Sequence, residues 1–235
     1  MDRNMIYIAD CGQNWKNLDG LEELAFMVKN AGADYIKPQL FNPDDLYTKD
    51  HPYYSWIKSH ELLLQDAEDI YNYAESINLK CIFSPFDQER ISWCSSIGIE
   101  KIKVANRMCT DLKFLDAIKE TGIPPIISVS KEKHLPYFTY DDIFGKDKYQ
   151  MLYTVPSYPA TTESYSLPMI KRCGGLSCHA VDEGTLAIAS TASGISVIEF
   201  HVWYRNYNSP DQCVSYHTEE LAEIIKKCNA IEQII

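Results

Sequence analysis

Eight short apolar runs with strand character recur along the 235 residues, each set off from the next by a helical pattern or a polar loop. They fall at residues 5–9, 35–39, 80–84, 101–105, 125–128, 150–155, 174–177 and 196–201. Strands that alternate with helices run parallel, and a parallel sheet is covered on both faces. Eight is the number that closes such a sheet on itself, so the expected fold is an α/β (β/α)8 TIM barrel. The rival is a doubly wound open sheet. Its glycine-rich first turn is missing, because Asp10-Cys11-Gly12-Gln13-Asn14 does not follow the G-x-G-x-x-G pattern.

Between the strand runs, Leu21, Leu24, Ala25 and Val28 recur at helical spacing. Residues 62–77, 89–96, 112–121, 185–193 and 218–234 also read as helices. Gly32, Gly98, Gly122 and Gly194 each stand just before the next strand, where helices end. No composition shift marks a boundary, so residues 1–235 are expected to form a single domain. Residues 41–60, rich in Pro, Tyr and Asp, read as an elaborated second βα loop whose Tyr47, Tyr53, Tyr54 and Trp56 serve packing or a lid. Residues 131–148 read as a long charged connection.

A formal charge of −11 argues against a nucleic-acid partner or an anionic membrane surface, so an anionic substrate needs a local basic pocket. No run approaches the length of a membrane span, and the start reads as the approach to a strand rather than a signal, so a cytoplasmic protein is expected. The eight cysteines include no C-x-x-C pair and are expected to be buried reduced thiols. Cys173 and Cys178 flank a strand and stand too far apart to pair.

Side chains two apart on a strand share a face. That puts Glu199 with His201, Ser177 with His179, and Lys37 with Gln39, while Lys103 lies within the fourth strand. His179 and His201 close neighbouring strands at one rim and would converge as metal ligands; the bland reading is two satisfied core or rim histidines. Lys103 either binds an anion or pairs with Glu199 across the barrel.

At these residues the chain resembles the N-acetylneuraminate (sialic acid) synthase family. Ile8-Ala9-Asp10-Cys11-Gly12-Gln13-Asn14 is similar to its I-A-E-I-G-x-N opening, and Ala31-Gly32-Ala33-Asp34-Tyr35-Ile36-Lys37-Pro38-Gln39 to its A-G-A-D-x-x-K-x-Q. Phe83-Ser84-Pro85-Phe86-Asp87 resembles S-T-P-F-D, and Lys101-Ile102-Lys103-Val104-Ala105 resembles the fourth strand. Ser157-Tyr158-Pro159-Ala160 resembles S-Y-P-A, Gly175-Leu176-Ser177-Cys178-His179 resembles G-x-S-D-H, and Val197-Ile198-Glu199-Phe200-His201 resembles V-I-E-K-H; Ser209-Pro210-Asp211 then follows like G-P-D.

The resemblance implies a (β/α)8 barrel that condenses phosphoenolpyruvate with an N-acetyl amino sugar aldehyde, with a divalent metal, manganese or magnesium. His179 and His201 would hold the metal. Lys103, Ser84, Asn106, Ser128 and Ser177 would bind phosphoenolpyruvate, with Lys37 adding charge and Glu199 beside them. Asp10, Gln39, Tyr158 and Asp211 would face the sugar, and Asp10, Lys103, Tyr158 and Asp211 form the expected catalytic set. The family's dimers leave a homodimer open.

Departures accompany the resemblance. Met108 aligns with an acidic residue, Asn106 with a phosphate-binding serine, and Pro156 with an asparagine ligand. Cys178 replaces the aspartate of S-D-H, Trp15 replaces a histidine, and Asp10 shortens a glutamate. The family's C-terminal antifreeze-like domain, which helps hold the N-acetyl group, is expected to have no counterpart here. Two alternatives follow: a degenerate barrel that binds a phosphorylated or acidic ligand or serves as a partner subunit, and a different metal-dependent barrel aldolase or hydrolase.

Overall fold

Each of the eight expected runs forms a strand in the computed structural model, which describes residues 5–234. They are β1 (Ile6–Asp10), β2 (Tyr35–Lys37, resumed at Gln39–Leu40), β3 (Lys80–Cys81, resumed at Ser84–Pro85), β4 (Ile102–Val104), β5 (Pro125–Val129), β6 (Gln150–Tyr153), β7 (Gly175–Cys178) and β8 (Val197–Trp203). Pro38 has no amide hydrogen to give the ladder, and it splits β2.

All pairings are parallel, and they close a ring. β1 lies between β8 and β2, with Asp10 opposite both His201 and Lys37. Tyr35 of β2 pairs with Lys80 of β3, and the resumed pieces pair through Gln39 and Ser84. β3 reaches β4 through the Phe83–Ile102 bridge, where the Lys103 amide donates to the Phe83 carbonyl at 2.9 Å. From β4 to β8 the strands pair in chain order, which completes the expected barrel.

Alternation along the strands then sorts the interior into layers. Ile8, Tyr35, Ile82, Ile126, Leu152 and Val197 form one small apolar cluster. Gly175 is needed at this level, because a Cβ there would lie 2.4 Å from Leu152 Cδ2 and 3.1 Å from the Val197 carbonyl. Two residues further along the same strands stand Asp10, Lys37, Ser84, Ser128, Thr154, Ser177 and Glu199. The sequence therefore changes from apolar to polar at one height around the ring. The opposite faces of the strands, for example Tyr7 and Ala9, join the main core against the helices.

The helices are α1 (Leu18–Asn30), α2 (Pro43–Leu46), α3 (Tyr54–Lys58), α4 (Leu64–Ser76), α5 (Gln88–Ile97), α6 (Leu112–Thr121), α7 (Tyr137–Phe144), α8 (Leu167–Cys173), α9 (Thr185–Ala192) and α10 (Thr218–Glu232). α1 buries Leu21, Leu24, Ala25 and Val28, the expected stripe. Asp87 and Asp111 cap α5 and α6 by accepting from the Arg90 and Phe114 amides.

Three expectations need correction. The connection at residues 131–148 contains α7, a helix that buries only Tyr140 and so leaves little apolar periodicity to read. α8 starts on Leu167-Pro168, where a proline suits a first turn but obscures the helix in the sequence. The loop at residues 41–60 holds α2 and α3. A ninth strand, β9 (Ser215–His217), also pairs with β8 from His201 to Trp203. All eight cysteines are free, and Cys213 alone of them is exposed. Among the described residues no helix is long and apolar enough to cross a membrane.

Candidate active site

The polar layer opens into a cavity of about 450 Å³ at the C-terminal end of the barrel strands, and all thirteen side chains singled out above line it. This is the end of the barrel where loops can bring chemistry together.

His179 and His201 meet with ring centroids 5.2 Å apart, and the Tyr158 hydroxyl stands 3.4 Å from the Nε2 of each. His179 Nδ1 lies 2.7 Å from the Val155 carbonyl, an acceptor only, so Nδ1 carries the proton and the Nε2 lone pair faces the cavity. Burial, reinforced by His201, lowers His179 to about 3 and keeps it neutral, as a metal ligand must be. Among the described residues no third histidine, cysteine or carboxylate joins them in metal-ligand geometry. The chain thus offers two imidazole nitrogens, donors of a kind that suits many divalent ions.

Below the imidazoles lies a buried charge network. Lys37 is bonded to Asp10, and its Nζ lies 3.2 Å from Glu199 Oε2. Lys103 donates to Ser128 Oγ at 2.8 Å and stands 3.4 Å from Glu199 Oε1, which also accepts from Ser177 Oγ at 2.8 Å. The pairing of Lys103 with Glu199 is therefore formed. Burying four charges costs more than an apolar filling would, so stability does not explain the network. Burial pushes the Glu199 carboxyl up, but Lys103 and Lys37 hold it well below the usual range. Asp10 is likewise lowered, by His201 and Lys37 acting against its burial. Those two carboxylates raise Lys37 in spite of its burial. Lys103 has less support, and burial lowers it to about 8.

Ser84 is 1% exposed, and its Oγ has no hydrogen-bond partner; the same is true of buried His201 Nδ1. A buried hydroxyl left without a partner, lining the same cavity as two ammonium groups, is free to donate to an anion. Asn106 fits that role less well, since its amide donates to the Ser128 and Lys133 carbonyls, each at 3.4 Å. Pro156 lines the cavity without a donor, and Met108 packs into the core instead of reaching the site.

On the other side, the Gln13 amide nitrogen of the backbone donates to Asp211 Oδ2 at 3.3 Å. Gly12 makes room for that carboxylate: it has φ +44°, and a Cβ on it would lie 2.1 Å from Asp211 Oδ2. Burial raises Asp211, in contrast to the lowered Asp10. Gln39 accepts from Gln13 Nε2 at 3.1 Å.

Reading strands alone missed Gln13, Tyr47, Phe86, Ala105, Arg107, Thr154 and Pro210, which also line the cavity. Thr154, two residues beyond inward Leu152, could have been found by alternation. The others come from loops, where no period applies.

Comparison with known proteins gives the family and the fold. The model of the NeuB family matches residues 26–235. An uncharacterised protein of Methanocaldococcus jannaschii is 28% identical over 97% of this chain and 71% of its own length. The N,N'-diacetyllegionaminic acid synthase of Legionella pneumophila is 24% identical over 97% of this chain and 72% of its own. Among solved structures, N-acetylneuraminic acid (sialic acid) synthetase of Leptospira borgpetersenii, in complex with citrate, superposes with a TM-score of 0.90 at 23% identity. That match covers 98% of this chain and 84% of the other, and it shows the shared fold.

Proposed function

This chain belongs to the NeuB family, and from that premise we propose that it condenses phosphoenolpyruvate with an N-acetyl amino sugar aldehyde, releasing phosphate and forming a nonulosonic acid. The observation that carries the reading is the convergence of two imidazoles, two buried lysines and an unpartnered serine hydroxyl on one cavity. Anion-binding donors beside a two-imidazole site suit an enol phosphate held next to an aldehyde.

Lys103, Ser84, Ser128 and Ser177 would hold the phosphate and carboxylate of phosphoenolpyruvate, with Lys37 fixing Asp10 and Glu199 around them. His179 and His201 would hold manganese or magnesium; when bound, that ion supplies Lewis-acid polarisation of the aldehyde oxygen. The enol carbon forms a bond to the aldehyde carbon, and the carbonyl electron pair moves to oxygen. Asp211, kept protonated to higher pH than usual by burial, is equipped to protonate that oxygen. Water then adds to the carbon bearing the phosphate, which the enol left cationic, and gives one proton to a base such as ionised Asp10; the new hydroxyl becomes the carbonyl of the 2-oxo acid as the C–O bond to phosphate breaks, its proton leaving with the phosphate. Tyr158, between the imidazoles, would orient the sugar.

The test is phosphate release by purified protein given manganese, phosphoenolpyruvate and a panel of N-acetyl amino sugars. Release that requires both substrates supports the reading; none with any sugar sinks it. Binding of phosphoenolpyruvate without turnover would favour the binding-only barrel, to which Pro156 and the engaged Asn106 amide lend weight.

A further inference from the structure

The synthase reading leaves one cation of the cavity unused. Arg107 stands at the rim with its guanidinium carbon 5.9 Å from the centroid of the Phe86 ring, within range of a cation–π contact. Its backbone carbonyl is tied down by Lys133 Nζ at 2.6 Å. Tyr47 lies beside it: burial pushes the Tyr47 phenol up, and the guanidinium pulls against that shift. Three successive loops thus meet at this point, those after β2, β3 and β4.

The cations of the cavity lie in two tiers. Lys37 and Lys103 are 3% and 2% exposed and are engaged by Asp10 and Glu199. Arg107 is exposed and, among the described residues, forms no ion pair, although the chain carries a net charge of −11. A guanidinium seated on an aromatic ring, facing a cavity and lacking a carboxylate, is pre-organised for a planar or tetrahedral oxyanion. The lower tier already has donors for the first substrate. An anion at the upper tier therefore belongs to the second.

We propose that Arg107 determines acceptor specificity, selecting a sugar that carries an anionic substituent, a phosphate ester or a carboxylate, remote from its aldehyde. The inference rests on the synthase reading for the identity of the two substrates. Arg107 contributes the charge, while Tyr47 and Phe86 fix the height at which the anion is held. Neutral acceptors would lose this contact and retain those to Gln39 and Asp211.

Calorimetric titration tests it without turnover. In the presence of phosphoenolpyruvate, wild type and Arg107→Gln are titrated with a neutral N-acetylhexosamine, its 6-phosphate, and the corresponding N-acetylhexosaminuronic acid. Wild type is expected to favour one anionic sugar over the neutral one by about tenfold or more, and the anion favoured tells phosphate from carboxylate. In Arg107→Gln that ratio falls to near one, and Arg107→Lys recovers part of it. Equal affinities in wild type, a ratio that survives Arg107→Gln, or a greater loss of phosphoenolpyruvate affinity than of sugar affinity would each overturn the assignment. Failure of wild type to bind phosphoenolpyruvate would sink the synthase reading instead, and the sugar titrations run alone would then decide on Arg107.

Discussion

Lys103 and Glu199 face each other from opposite sides of the barrel, β4 and β8, with Nζ 3.4 Å from Oε1. The contact leaves the lysine incompletely supported, since burial lowers it to about 8 while Glu199 is held ionised. The charged form is the one that holds an anion, and raising the pH through about 8 removes it. Affinity for phosphoenolpyruvate should therefore be flat below that value and fall by up to roughly tenfold per pH unit above it. Binding near pH 9 should take up a proton, visible as a dependence of the calorimetric heat on the buffer's ionisation enthalpy. Constant affinity from pH 7 to about 9.5 would contradict this account of Lys103.

Ser84 separates function from stability. Its hydroxyl is buried with no partner, so Ser84→Ala removes an unsatisfied group and should leave thermal stability unchanged or raise it by about 1 kcal/mol. The same change should weaken phosphoenolpyruvate binding by about 1 kcal/mol or more, roughly five- to tenfold. Melting curves and a titration on the same sample check both directions. A destabilised variant with unaltered binding would show the hydroxyl to be structural.

Gly12 is predicted to act through Asp211. An added Cβ would collide with Asp211 Oδ2 and sit at a left-handed φ of +44°. Gly12→Ala should cost about 1–3 kcal/mol of stability from the backbone alone. It should also lower kcat by displacing the carboxylate, while the binding of phosphoenolpyruvate on the far side of the cavity changes little. The comparison variant is Asp211→Asn, which keeps the shape. If Gly12→Ala loses stability but keeps full kcat, Asp211 is not placed for catalysis by this contact.

What could be read from the residues followed the physics of each signal. The barrel was legible because eight runs alternate with helices, and the site because strand alternation turns Lys37, Lys103, Glu199 and His201 into one cavity. α7 escaped because only Tyr140 among its residues is buried, and α8 because Pro168 lies in its first turn. Arg107, Tyr47 and Phe86 could not be foreseen by such reasoning, since loops carry no period that says which side chain turns inward. Asn106 lines the cavity, but its amide is engaged by the Ser128 and Lys133 carbonyls, contacts that no local pattern announces.

His179 and His201 are predicted to grip one divalent ion together, beside the anion-binding floor. Titration of metal-free protein with manganese, followed by the loss of the free-ion paramagnetic resonance signal, measures it without requiring turnover. One ion per chain is expected, with binding weakened by about tenfold or more in His179→Ala and in His201→Ala. Undiminished manganese binding in the double variant would contradict the account.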